Sequence, residues 1–306
     1  MIGHLRVKSP WSQLGIFLGL FGASFILASV IMAIVVLSMG LPVSGMDKLD
    51  WSKPGILTAM KSIQALSSVL IFLLPALVFA LIVYHGKPFY FLGLKPAPVK
   101  QSYFLAIAGI LIAFPLVFWL GEMNQQIPLP KWMGNLENDA TKQMQAFLKA
   151  ENAGDVILNV LIIAFLPALC EEICFRGALQ RILIHISRNA WVGIIFTSVL
   201  FSALHLQFQG FLPRMFLGMI LGAIYWYSGS LWPSILAHFV NNAVQVVAVS
   251  FAPEYVEKNP SIPLYAALIS GVFLWGILWA FKSYSTVTYQ KTYEPEVSNG
   301  SNQFIA

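Results

Sequence analysis

The chain has 306 residues, 58% of them hydrophobic and 10% charged, with a formal net charge of +5 and a mean hydropathy of +0.75. A soluble domain carries about 25% charged residues, so a water-soluble globular fold is excluded. Apolar runs of about 20 residues, rather than alternating ten-mers, also exclude a β-barrel. What remains is an all-α fold, a polytopic membrane helix bundle, whose charge is spread over loops and tail and makes no nucleic-acid patch.

Arg6 and Lys8 precede the first apolar run, Leu14 to Leu41. A run of that length is a retained span, not a signal-peptide core of about 7–15 residues. A loop from Pro42 to Lys61 leads to the second span, Ile63 to Tyr84, in which Pro75 predicts a kink. A short basic loop with Lys87, Lys95 and Lys100 precedes the third span, Tyr103 to Leu120, which contains Pro115. The polar stretch Glu122 to Asp155 holds one amphipathic helix, Asn138 to Lys149. Its Met144, Phe147 and Leu148 share a face opposite Lys142 and Lys149, the pattern of a helix lying in the membrane interface.

The fourth span begins at Val156 and continues as an amphipathic extension to Ile186, where Ser187-Arg188-Asn189 turns the chain. Span five runs from Ala190 to Leu206. Span six runs from Phe211 to Tyr227, and its Gly218 and Gly222 read as close helix packing rather than a ligand site. Span seven follows the Ser228-Gly229-Ser230 turn and ends at Ser250. Span eight covers Leu264 to Phe281, and the polar tail from Lys282 is expected to be disordered. Eight spans place both termini on one side. The terminal side carries nine Lys and Arg against seven on the other, which favours cytoplasmic termini. The chain divides into 1–150, N-terminal spans with the interfacial helix; 151–250, a core; and 251–306, the last span and tail.

Charge inside the fourth span organises the rest. Val156 to Cys170 carries none, and then Glu171, Glu172 and Arg176 follow. A charged residue near the centre of a membrane helix costs at least ~2.5–3.5 kcal/mol, so such groups pair or work. Glu172 and Arg176, four apart, share a helical face and suit an ion pair. Glu171 points about 100° away and is left over. Cys170 and Cys174 read as small apolar side chains, because a metal site needs more ligands and a disulfide within one turn fits badly.

Three further polar residues lie inside spans: His205 in span five, and His238 and Asn242, one turn apart on one face of span seven. Glu171 stands 17 residues before Arg188 and His205 stands 17 after it. In an antiparallel pair with equal arms both then lie roughly 25 Å from the turn. His238 lies about 13 Å from its own turn, so the depths agree if the Arg188 turn projects beyond the membrane. A carboxylate and an imidazole sharing a water form a general-base pair, and an imidazole and an amide offering N–H donors suit a developing oxyanion. That set describes water attack on an amide or ester carbonyl. The same Glu and His side chains suit a metal with an open position as an alternative, although the usual His-Glu-x-x-His of zinc proteases is missing.

Glu171-Glu172-x-x-x-Arg176, Phe201-x-x-x-His205 and His238-x-x-x-Asn242, in that order, resemble the three motifs of the CPBP family, the CAAX proteases and bacteriocin-processing enzymes, also called the Abi family. The type II CAAX prenyl endopeptidase belongs to it. The resemblance covers about Asp155 to Ser250, with Phe91-Leu92-Gly93-Leu94 as a further likeness, and makes 151–250 the catalytic core. It implies an intramembrane endopeptidase of about eight transmembrane helices, cutting a peptide bond near the cytoplasmic face of a bacterial inner membrane. By carry-over, Glu171 and His205 activate water, His238 and Asn242 hold the oxyanion, and Glu172 and Arg176 support the site. Asn is a poor zinc ligand, so a glutamate-type reaction without metal or other cofactor is expected, with zinc as the alternative mechanism. The implied partners are membrane lipids and a peptide or lipidated protein substrate. A bacteriocin immunity or scaffold role without turnover is the alternative function.

Overall fold

A computed structural model describes residues 9–40, 54–83, 87–252 and 260–293. Every regular element among them is helical: α1 (Pro10–Ser38), α2 (Gly55–Val83), α3 (Pro88–Phe91), α4 (Gln101–Gln125), α5 (Lys131–Leu148), α6 (Ala153–Ser187), α7 (Ala190–Ala203), α8 (Phe211–Ser228), α9 (Leu231–Phe251) and α10 (Leu264–Tyr284). Six of them, α1, α2, α4, α6, α9 and α10, are long and apolar enough to cross a membrane, and the chain is an integral membrane protein. Of the eight expected spans, α7 and α8 fall outside the six. The 14 residues of α7 reach about 21 Å against a hydrocarbon core of about 30 Å. The 18-residue α8 carries Arg214 and falls outside the six.

The helices meet at two ends. At one, Leu231 N–H donates to the Gly93 carbonyl and Ser230 Oγ donates to the Lys95 carbonyl. The segment after α10 returns here too: Tyr289 Oη reaches the His185 carbonyl at 3.3 Å and Tyr293 Oη the Arg181 carbonyl at 2.8 Å. Tyr293 also stacks on His185 at 4.7 Å between ring centroids. The tail is therefore packed against the bundle as far as residue 293, its tyrosines donating to carbonyls of the last two turns of α6; residues 294–306 of the expected disordered tail lie outside the described residues. At the opposite end, α5 and the C-terminus of α4 cover the α7–α8 loop, where Glu137 accepts from Gln209 N–H at 2.8 Å.

Several boundaries move for reasons a hydropathy pattern hides. α2 begins before Lys61, a residue expected in a loop. Lys61 is buried in the helix because its ammonium donates to Asn159 Oδ1 on α6 at 2.7 Å. α4 runs on to Gln125, and α5 begins at Lys131 rather than Asn138. Pro130 precedes its first turn, and Trp132 and Leu136 extend its apolar side outward. The extension of α6 is not a solvated amphipathic surface either: Ile173 to Gln180 are all buried. Arg176 Nη2 donates to the Gly218 carbonyl at 3.2 Å and Gln180 Nε2 to the Gly222 carbonyl at 3.1 Å. The two glycines bring α8 close enough for side chains four apart on α6 to reach carbonyls four apart on α8, so the expected close packing is present and also polar.

Candidate functional site

α6 alters its winding on both sides of the acidic pair. Val160–Phe165 and Ile173–Gln180 are π-helical, and Leu166–Glu172 between them is α-helical. Pro167 lacks an N–H and cannot complete the helical ladder where the first π segment ends. The widened turns set the directions in which Glu171, Glu172 and Arg176 leave the helix.

Glu172 and Arg176 are both fully buried, and Arg176 Nη1 donates to Glu172 Oε1 at 2.6 Å. The expected ion pair is therefore present, and it belongs to a larger network. Glu172 Oε1 also accepts from His238 Nδ1 at 2.9 Å, and Glu172 Oε2 from Ser234 Oγ at 2.5 Å. The Arg176 guanidinium lies 4.6 Å over the Phe201 ring, a cation–π contact of the kind that strengthens when desolvated. Ser234 was missed by sequence reasoning, although Ser234, His238 and Asn242 repeat every four residues on one face of α9.

Glu171 behaves differently. It has no hydrogen-bond partner among the described residues, and His238 Nε2 lies 3.8 Å from its Oε2. His238 is thus held between the two glutamates. Its Nδ1–H points at Glu172, a carboxylate that only accepts, so Nε2 is the atom turned toward Glu171. In the neutral ring Nε2 is an acceptor, and it becomes a donor only in the imidazolium.

His205 lies just beyond α7, not within a span as expected. Its Nδ1 donates to the Phe201 carbonyl at 2.8 Å, which leaves Nε2 as the acceptor of the neutral ring. No hydrogen bond or ion pair joins His205 to Glu171 among the described residues. His205 is connected through Phe201, whose ring meets that of His205 at 4.9 Å and that of His238 at 5.9 Å between centroids. Of the four residues expected at one depth, Glu171 and His238 lie 3.8 Å apart, His205 stands one ring further out, and among the described residues no hydrogen bond joins Asn242 to them. Arg214 lies in the first turn of α8, where Gln207 Oε1 accepts from its Nη2 at 2.7 Å.

Asn242 Oδ1 accepts from Asn241 Nδ2 at 3.0 Å. That contact turns the Asn242 amide so that its NH2 is free to donate. Cys170 and Cys174 are buried and unbridged, in keeping with an apolar packing role. Among the described residues no group of three or more His, Cys, Asp or Glu side chains is arranged to hold a metal.

The fold and the site define a polytopic helical membrane protein with a buried centre of Glu171, Glu172, Arg176 and His238. Residues 153–244, which hold that whole centre, match the family model of the Type II CAAX prenyl endopeptidase Rce1-like proteins. The resemblance read from the three motifs stands over this stretch. The chain is also similar to two curated proteins. It is 28% identical over 107 residues to the uncharacterized protein YpbD of Bacillus subtilis (strain 168), covering 34% of this chain and 51% of that one. It is 38% identical over 92 residues to an uncharacterized 24.3 kDa protein of Escherichia coli, covering 28% of this chain and 41% of that one. The chain thus spans about half the length, or less, of the curated relatives it matches. No solved structure matches.

Proposed function

We propose that the protein is an intramembrane endopeptidase that hydrolyses a peptide bond near the cytoplasmic membrane face, using glutamate rather than a metal. The observation that carries this reading is the contrast between neighbouring carboxylates: every oxygen of Glu172 is occupied, while Glu171 is buried without a hydrogen bond. In this reading Glu171 and His205, through its free Nε2, order and deprotonate the attacking water. The Asn242 NH2 donates to the oxyanion. His238 joins it from Nε2 as the imidazolium, a form that also faces the Glu171 carboxylate. Glu172, Arg176 and Ser234 fix the His238 ring. The substrate in this reading is a peptide or a lipidated membrane protein entering from the bilayer, and the membrane is the inner membrane of a bacterium with the termini on the cytoplasmic side.

The test uses the purified protein in lipid vesicles with a mixture of membrane-soluble peptides. Cleavage by the native chain, its loss in Glu171→Gln, and full activity after a chelator wash are expected. Chelator-sensitive cleavage restored by zinc would replace the glutamate mechanism with a metal one. Binding of peptides without cleavage would favour an immunity or scaffold role.

A further inference from the structure

His205 stands at the start of a loop, residues 204–210, that is braced from within the matched stretch by Ser202 Oγ on the Phe211 carbonyl and by Arg214 on the Gln207 carbonyl and Oε1. Leu206, the next residue, has φ +53°, a left-handed conformation that a branched side chain adopts only at a cost and under constraint from its surroundings. Further constraint comes from outside the matched stretch. Asn124, buried at the end of α4, donates from Nδ2 to the Phe208 carbonyl at 2.9 Å and accepts at Oδ1 from Leu212 N–H at 2.7 Å. Leu212 lies in the first turn of α8, whose N-cap is Gly210, with no side chain to satisfy that N–H. Asn124 therefore caps α8 from another helix and anchors the loop at two points. α5 adds Glu137 on Gln209 N–H and Trp132 edge-on to Phe208 at 5.7 Å.

We propose that Asn124 is a positioning residue that holds the strained loop after α7 closed and so fixes His205 for its work in the site. The proposal rests on the endopeptidase reading for its effect on turnover, but not for its effect on the loop. Without Asn124, Leu206 relaxes toward negative φ, and the peptide that carries His205 rotates with it.

Hydrogen exchange on the full-length protein in lipid tests the loop directly. In Asn124→Ala the amides at the two anchors, Gln209 in the peptide of the Phe208 carbonyl and Leu212, should exchange at least ~10-fold faster. In Asn124→Asp, which keeps the acceptor for Leu212 N–H, the acceleration should centre on Gln209, whose N–H shares the peptide unit of the Phe208 carbonyl, and spare Leu212. Turnover of peptides that the native chain cleaves should fall at least ~10-fold in kcat with KM within about twofold, because small misplacements of a catalytic group cost up to ~10²-fold. Adding Leu206→Gly, which removes the strain, should return part of the loss. On a His205→Ala background, Asn124→Ala should cost less than about twofold, as expected of residues acting through one group. Native exchange at Leu212 in Asn124→Ala, or a full additional loss on the His205→Ala background, would overturn the proposal. No cleavage by the native chain would sink the endopeptidase reading instead, with exchange still deciding the role of Asn124.

Discussion

Glu172 and Glu171 share a backbone and part company at the side chain. Glu172 accepts from Arg176, His238 and Ser234, so replacing it with Ala leaves a fully buried guanidinium without its carboxylate. Breaking a buried pair costs about 3–5 kcal/mol, and Glu172→Ala should lower the unfolding free energy by that order, measured by denaturant titration in detergent. Asn242→Ala removes one proposed oxyanion donor and nothing that packs deeply. It should lower kcat by on the order of 10²–10³ with little change in KM, and a change confined to KM would contradict the assignment. At this scale much was legible in the sequence. A charge in an apolar run is costly enough that Glu171, Glu172, Arg176, His205, His238 and Asn242 stood out without any structure. Ser234, Asn241 and Asn124 did not, because a serine or asparagine inside or at the end of a helix is too common to signal a partner that lies tens of residues away.

At the scale of elements, α6 is built around a polar ladder against α8, with Arg176 and Gln180 reaching the carbonyls of Gly218 and Gly222. A Cβ at Gly222 would stand 2.6 Å from Gln180 Oε1 and 3.0 Å from Ile194. Gly222→Val should therefore displace Gln180 and destabilise the protein by about 1–3 kcal/mol, read as a lower thermal midpoint. Truncation after Ser285 removes Tyr289 and Tyr293, whose two hydrogen bonds to the end of α6 contribute about 0.5–1.5 kcal/mol each. A loss of about 1–3 kcal/mol is expected, and an unchanged midpoint would show the tail to be a passenger. The sequence read the existence of these helices well because apolar length is a strong signal. It read their ends poorly: Lys61 looked like loop until its Asn159 partner was seen, and the tyrosines of the tail looked like solvated polar residues. π-helical turns leave no compositional trace at all.

At the scale of the whole molecule, one end of the bundle gathers the basic loops and the packed tail, and the other gathers α5, the end of α4 and the His205 loop. The motif helices α6 to α9 supply the polar centre, while α4 and α5, from the N-terminal half, close the loop beside it. The loop beside the site is therefore braced both from within the matched stretch and from outside it. In the proposed reading Glu171 does chemistry while its neighbour Glu172 does structure. The most direct measurement compares protein termini in membranes from cells expressing either the native chain or Glu171→Gln at equal abundance. The account predicts new termini that appear only with the native chain, near membrane-spanning or lipid-attached segments. Identical termini from both, with the native protein folded and in the membrane, would contradict it.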